Sequence, residues 1–338
     1  MYHLLRKIFA TFRAHEWWSY KIPPVFAIGY ATSYLAGVPL SNHILYYGLF
    51  LIASILAAIY VSSINDYFDI DIDLAAGKRN RLAAWKPNHR RWWLIVLLFM
   101  GAVFSYFFIP KDWSLVFYGL IWFVFTLYSM PPFRLKERSV WGVWCDALGA
   151  HGFATLFMLS AIASLSDYPT WNHWWWGVFI WAFSVGLRGI LWHQYLDRHN
   201  DLATGTRTFA VGMPPHQFKS IERGIVVFEL GGLGVMLYTL NHLIIWIFAG
   251  LYVLLVYMRY RMYHQKPIWI INYHGGGNQV LMIDYYQVFL PWSILILSMS
   301  KDSTAWMVAL LHFILFPTKF IAIGKDSYHF IKYIIRPR

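Results

Sequence analysis

The sequence predicts an all-α protein, a polytopic membrane bundle of nine or ten crossings. Three observations carry that prediction. Hydrophobic residues make up 59% of the chain and charged residues only 13%, where a soluble domain carries about a quarter charged. The apolar residues gather in many separate runs, several long enough for a bilayer. Lysine and arginine fall almost entirely in alternate loops between those runs.

Taken in order, residues 1–20 set Leu4, Leu5, Ile8, Phe9 and Phe12 against Arg6, Lys7 and Arg13. That pattern predicts an amphipathic helix on the membrane surface, with a merely basic tail as the alternative. No cleavable leader is expected. Spanning helices are predicted at 23–40, 43–64, 92–109, 113–130, 143–165, 172–195, 221–240, 242–258 and 285–300. A tenth, at 303–322, is interrupted by Pro317 and Lys319. The expectation is one membrane domain over residues 1–338, its bundle at 23–322 and a basic tail at 323–338.

Orientation follows from the basic loops. Arg6, Lys7, Arg13 and Lys21 precede the first helix. Lys78, Arg79, Arg81, Lys86, Arg90 and Arg91 follow the second, and further clusters follow the fourth, sixth and eighth. The alternate loops hold only Lys111 and Lys301. The N-terminus and the even loops are therefore expected in the cytoplasm. Trp171, Trp174, Trp175 and Trp176 would form an aromatic belt at the other face. Trp85, Trp92 and Trp93 are expected to anchor the cytoplasmic side. The net charge of +12 is spread among short loops, so it suits an anionic membrane surface and lipid-like anions rather than nucleic acid. The single cysteine, Cys145, excludes an intrachain disulfide and an all-cysteine metal site. Gly275-Gly276-Gly277 lacks the strand-and-helix setting of a phosphate cradle and is expected to be loop.

One stretch needs a chemical explanation. Asn65-Asp66-Tyr67-Phe68-Asp69-Ile70-Asp71-Ile72-Asp73 directly follows the apolar run Tyr46 to Ile64. Carboxylates at the mouth of a membrane helix are costly unless something binds them. On a helix, Asn65, Asp69 and Asp73 share a face, with Asp66 at its edge, while Asp71 points away to solvent. Asp197 and Asp201 form a second four-spaced row after another apolar run. Hard oxygens in such rows suit Mg²⁺, which commonly bridges carboxylates to substrate phosphates. Without metal, the clustered carboxylates are expected to repel one another.

The stretch Asn65-Asp66-x-x-Asp69-x-x-x-Asp73 resembles the first aspartate-rich motif of the UbiA superfamily of intramembrane prenyltransferases. Asp197-x-x-x-Asp201, trailed by Gly205-Thr206-Arg207-Thr208, resembles the second. Tyr128-Ser129-x-Pro131-Pro132-x-Arg134-Leu135-Lys136 resembles the family's tyrosine-serine segment. The resemblance implies a helical bundle around a central, lipid-accessible cavity, Mg²⁺, and an isoprenyl diphosphate donor. It implies that Asn65, Asp66, Asp69 and Asp73 hold one metal side and Asp197 and Asp201 the other. Arg134 and Lys136 would meet diphosphate oxygens, Ser129 would sit beside them, and Tyr128 would face the allylic carbon. Arg79, Arg81 and Arg207 are added as phosphate contacts. The chain departs from the family in placing Leu74-Ala75-Ala76-Gly77 after the first motif and His193 one turn before Asp197.

Three residues keep open readings. His193 serves as general base, metal neighbour or structural histidine, the last being the simplest. Arg188, inside an apolar run, binds phosphate or acceptor, or makes a structural salt bridge with Asp146 as candidate partner. His151 contacts an acceptor or, more simply, is a buried and satisfied core residue.

The leading function is Mg²⁺-dependent transfer of a polyprenyl group from its diphosphate to a membrane acceptor, the aromatic class being the commonest that the resemblance implies. In a second reading a polyprenyl phosphate attacks phosphoribosyl diphosphate. A third is a non-catalytic lipid-binding or transport protein, which complete acidic rows argue against.

Overall fold

The computed structural model describes residues 14–75, 77–108, 112–206, 208–269 and 278–335. It is a bundle of helices: α1 (Ala14–Leu35), α2 (Ile44–Ala75), α3 (Pro87–Ser105), α4 (Asp112–Ser129), α5 (Val140–Leu165), α6 (His173–Leu196), the short α7 (Arg198–Thr204) and α8 (Phe209–Gly212), α9 (Pro215–Leu240), α10 (Leu243–Tyr263), α11 (Tyr285–Met299), α12 (Ala305–Leu315) and α13 (Pro317–Ile335). Between α10 and α11, two-residue strands β1 (Pro267–Ile268) and β2 (Asn278–Gln279) pair in parallel.

Most expected helices occur where the apolar runs put them. Five are long and apolar enough to cross a membrane, with α12 and α13 a sixth if joined; α4 and α11 are apolar but shorter. Length and apolarity alone therefore do not reach nine or ten among the described residues. Helix α1 carries Lys21 and a pair of prolines, and α3 opens on His89, Arg90 and Arg91, which dilutes both.

Four boundaries differ for physical reasons. Helix α1 starts at Ala14 and runs unbroken through residue 20, so the expected surface helix has no separate end there; residues 1–13 lie outside the described residues. Trp18 is tied into the bundle, its indole N–H donating to the Leu315 carbonyl at 2.8 Å. Helix α2 continues eleven residues past Ile64, to Ala75, so the acidic row sits on the same helix as the apolar run, with the shared face its spacing called for. The tenth crossing breaks at Phe316, where α12 and α13 meet at 86°. Pro317 lacks an N–H and disfavours helical conformation in the residue before it. Helix α13 then buries none of its residues and carries the expected basic tail as helix up to Ile335; residues 336–338 lie outside the described residues.

The tryptophan belt is only half a belt. Trp171 and Trp176 are exposed, but Trp174 and Trp175 are core residues, and the Trp174 indole donates to Thr32 Oγ1 at 3.1 Å. Helix spacing sets successive side chains roughly 100° apart, so Trp174 and Trp175 share the covered side of α6 while Trp176 turns outward. At the other side Trp92 is exposed, whereas Trp93 donates to Ser63 Oγ at 3.0 Å.

Helix α6, which leads to the second acidic row, packs along α9 through glycines. A Cβ on Gly232 would stand 2.5 Å from the Trp181 backbone nitrogen, and one on Gly177 would stand 2.8 Å from Val235 Cγ1. Such backbone contact is how membrane helices gain dispersion energy without a hydrophobic drive. Gly232→Ala is therefore expected to destabilise by about 1–3 kcal/mol, whereas Gly231→Ala, with open space beside it, should not. Thermal melts of both variants in detergent check this.

Candidate active site

The first acidic row is built by a helix, a glycine and a returning basic loop. After Ala75 the chain reverses at Gly77, whose φ of +66° suits glycine. The Gly77 N–H donates to the Leu74 carbonyl at 3.1 Å and the Lys78 N–H to the Asp73 carbonyl at 2.8 Å, a helix C-cap that satisfies orphan carbonyls. The reversal lays Asn80 and Arg81 back over the row. Arg81 grips Asp66 with two bonds, at 2.6 and 3.0 Å. The Asn80 amide donates to Asp73 Oδ2 at 2.9 Å and to the Asp66 carbonyl at 2.8 Å.

The segment after α4 brings the remaining cations. Arg134 donates to Asp69 Oδ1 at 2.7 Å and to Glu137 at 2.6 Å. Lys136 donates to Asp69 Oδ2 and, at 2.8 Å, to Asn65 Oδ1. Ser129 Oγ lies 3.4 Å from the same Asn65 oxygen. Burial pushes the Lys136 ammonium below its usual range, with Asp69 opposing the shift. The expected repulsion among clustered carboxylates is thus absent from this row, because Asp66 and Asp69 are matched by Arg81, Arg134 and Lys136. Arg79 stays exposed on the loop, and Asp71 is exposed as expected.

The second row repeats the same local logic. Asp201 is followed four residues later by Gly205, as Asp73 is by Gly77, and Gly205 has a φ of +69°. The Thr206 N–H donates to the Asp201 carbonyl at 2.9 Å, and Thr208 Oγ1 to Asp201 Oδ2 at 3.1 Å. Burial raises the Asp201 pKa, and the charge on Asp197 raises it further; the Thr208 bond, Lys78 and His193 oppose. Lys78 thereby links the first loop to the second row. Asp197 is half-exposed and meets His193 Nε2 at 3.4 Å. His193 is exposed rather than a buried structural histidine. Arg207 lies outside the described residues.

Two cavities flank this machinery. One, about 320 Å³, runs from Asn65, Asp66, Arg81 and Ser129 down to Phe50, Ala57, Val61, Ile121 and Phe125. It has a polar head and an apolar shaft. The other, about 510 Å³, is lined by His151, Trp181, His193, Met282, Tyr286 and Gln287 among others. Tyr128, Asp146, Lys21 and Val25 line both. The sequence offers Lys21 only as a loop cation and Asp146, inside α5, only as a candidate partner for Arg188; neither pattern points to a cavity wall. His151 lines the larger cavity and is half-buried.

Arg188 is not at either acidic row. It is fully buried and bonds Glu229 at 3.0 and 3.2 Å, with Tyr286 donating to the same carboxylate at 2.8 Å. Its other amino group donates to the Trp269 and Val280 carbonyls at 3.0 and 3.2 Å. Glu229, not Asp146, is its partner, and its role is to fasten the segment before α11.

A family model described as the UbiA prenyltransferase family matches residues 24–269. The chain belongs to the UbiA prenyltransferase family. Two solved structures of a UbiA homolog from Archaeoglobus fulgidus align with it at a TM-score of 0.55. The one bound to DMAPP and Mg²⁺ is 14% identical, covering 86% of this chain and 97% of that one. The one bound to GPP and Mg²⁺ is 16% identical, covering 86% and 98%. At those identities the likeness is one of fold. A probable homogentisate phytyltransferase 2, chloroplastic, from Oryza sativa subsp. japonica is 40% identical over 98 residues, 28% of this chain. That match spans only 25% of the rice protein's length.

For a UbiA protein the oxygen donors fit a hard cation, but as pairs. Among the described residues no group of three or more histidine, cysteine, aspartate or glutamate side chains stands ready to hold a metal ion. Mg²⁺ typically takes one or two carboxylates and completes its shell with water and substrate phosphate. Asn65, Asp66, Asp69 and Asp73 on one side, and Asp197 and Asp201 on the other, supply that kind of incomplete shell.

Two stability outcomes follow. Arg188→Leu should cost about 3–5 kcal/mol, and Arg188→Leu with Glu229→Leu should recover most of it, because a lone buried charge is worse than none. Asp69→Asn should lower the metal-free melting temperature by leaving Arg134 and Lys136 short of a partner, while Asp197→Asn should leave it nearly unchanged. Melting curves in EDTA distinguish the two rows.

Proposed function

We propose that this UbiA family protein transfers a polyprenyl group from a polyprenyl diphosphate to an aromatic acceptor within the membrane, with Mg²⁺ as cofactor. The observation that carries the reading is the 320 Å³ cavity, polar at Asn65, Asp66 and Arg81 and apolar from Val61 to Phe50. A diphosphate head and an isoprenoid tail on one molecule fit that gradient. The solved homologs bound to DMAPP and GPP support the donor class. The rice relative, named for homogentisate, supports a ring acceptor.

Mg²⁺, when bound, neutralises the diphosphate as its bond to carbon breaks. Arg81, Arg134 and Lys136 hand over their carboxylates and turn to phosphate oxygens, so the site exchanges one set of ion pairs for another. Ser129 fixes Asn65. Tyr128, at the wall shared by both cavities, offers its π face to the allylic cation. The larger cavity seats the acceptor. Both acidic rows and the N-terminus face the cytoplasm, with residues 167–172 on the opposite side.

Transfer should require Mg²⁺ or Mn²⁺ and stop in EDTA. Asp69→Asn and Asp197→Asn should each lower single-turnover rates by at least about 100-fold, with Tyr128→Phe milder than Tyr128→Ala. Near-normal rates in both aspartate variants would remove the metal mechanism. Turnover of phosphoribosyl diphosphate with polyprenyl phosphate, and none with prenyl diphosphates, would reverse the choice of donor. For the orientation, thiol reagents applied outside intact cells should reach cysteines placed at 167–172 and miss those at 66–90 and 198–219.

A further inference from the structure

The last helix differs from the rest of the bundle. Helix α13 leaves α12 at 86° and buries none of its residues, yet it is firmly attached. Its contacts with the bundle lie along one side. Lys319 Nζ stands over the Tyr20 ring, 4.8 Å from its centre, and Asp326 accepts from Arg259 Nε at 2.9 Å. The same guanidinium pairs with Asp284, so α10 clamps α13 to the segment before α11. Ile323 and Phe330 pack against the core from that side as well. Positions 319, 323, 326 and 330 recur at intervals of four and three, which is one face of a helix. These contacts fix the rotation of α13 about its own axis.

What that rotation leaves outside is sorted by chemistry. At about 100° per residue, Ile321, Tyr328, Ile331, Ile334 and Ile335 fall together on a second side, and they are 46–71% exposed. Lys325, His329 and Lys332, all exposed, fall on a third. The one acidic residue of the helix, Asp326, is taken by Arg259, so the free charge is positive, and the chain goes on to Arg336 and Arg338. The apolar strip continues that of α12, whose Leu310, Leu311 and Ile314 are exposed just before the bend. In water such a strip would be an aggregation site. A second copy of this chain laid on it would set one lysine-bearing flank against another. A leaflet of acidic phospholipid meets the strip with acyl chains and the lysines with phosphates.

We infer that α13 is an in-plane membrane helix that recognises acidic phospholipid, its isoleucine strip entering the acyl region while Lys325 and Lys332 hold headgroup phosphates. Helices of this kind sink their apolar face into the boundary between headgroups and acyl chains, and each lysine near an anionic surface adds to the attraction. Helix α13 lies wholly beyond the segment 24–269 matched by the family model. Only the choice of leaflet rests on the orientation proposed above. Arg259 stands near the end of α10 that leads into an even loop, so the leaflet met is the cytoplasmic one, where acidic lipids gather.

The full chain in phosphatidylcholine nanodiscs, carrying one fluorophore at Ile334→Cys or at His329→Cys, tests this; the single native cysteine, Cys145, is buried. Iodide quenches from water. Trace phosphatidylcholine or phosphatidylglycerol with a nitroxide near the top of its acyl chain quenches from lipid. The label at 334 should be quenched by both lipids and spared by iodide, and the label at 329 should be quenched mainly by iodide. Half-quenching at 334 should need at least about fivefold less phosphatidylglycerol than phosphatidylcholine. Lys325→Gln with Lys332→Gln should remove most of that preference while leaving quenching by phosphatidylcholine in place, and added salt should do the same. Iodide reaching 334 with no quenching from lipid would overturn the placement of the helix. Equal quenching by the two lipids, or a preference that the lysine variant leaves intact, would overturn the recognition of acidic lipid. Protection of 334 from every quencher, with energy transfer between two labelled copies, would give the strip to a second copy instead. Nanodiscs present both leaflets alike, so these outcomes are independent of the orientation, which the thiol labelling of intact cells decides by itself.

Discussion

The ion pairs between the end of α2 and the two loops that return over it are what the site depends on. Three carboxylates at the membrane boundary would be untenable alone. Arg81, Arg134 and Lys136 make Asp66 and Asp69 tolerable, and in doing so they fix where the loops after α2 and α4 lie. The same contacts place Ser129 beside Asn65 and hold the mouth of the donor shaft together. Folding alone thus gathers Arg81, Arg134 and Lys136 around the row. The second row is less provided for. Among the described residues Asp197 pairs with His193, and burial works against the charge on Asp201 while Lys78 and His193 support it.

How much of this was legible in the sequence divides along the same line. The helices and the acidic rows follow local periodicity and spacing, which survive folding because they need no knowledge of what packs against them; the Tyr128–Lys136 segment stood out only by its resemblance to the family's motif. The returning loop was legible only in part. Its basic residues stood out, but the glycine turn that aims Arg81 at Asp66 and leaves Arg79 in solvent depends on one backbone angle. Arg188 was legible as an anomaly and not as a role, because its partner Glu229 stands 41 residues away on α9. The tryptophans at 174 and 175 were misassigned for a related reason: composition places them at an interface, and only the neighbouring helices decide which side of α6 is covered. Lys21 was legible only as one of the basic residues before the first helix and Asp146 only as a candidate partner for Arg188, since a shared wall between two cavities exists only in three dimensions.

The two cavities share one wall. Lys21, Val25, Tyr128 and Asp146 line both, so on the proposed function a donor in one space and an acceptor in the other would meet only there.

Helix α2 also serves as a measure of depth. From Ile44 to Asn65 its axis advances about 32 Å at 1.5 Å per residue, close to the roughly 30 Å thickness of a bilayer's hydrocarbon layer. In the orientation proposed above, the oxygen-bearing row would begin where the oil ends, with the last ten residues of the helix at headgroup level. A prenyl diphosphate lying in the leaflet already has its head at that height and its tail below. It can slide into the site sideways without being lifted out of the lipid, so capture costs little of the hydrophobic energy that keeps it in the membrane.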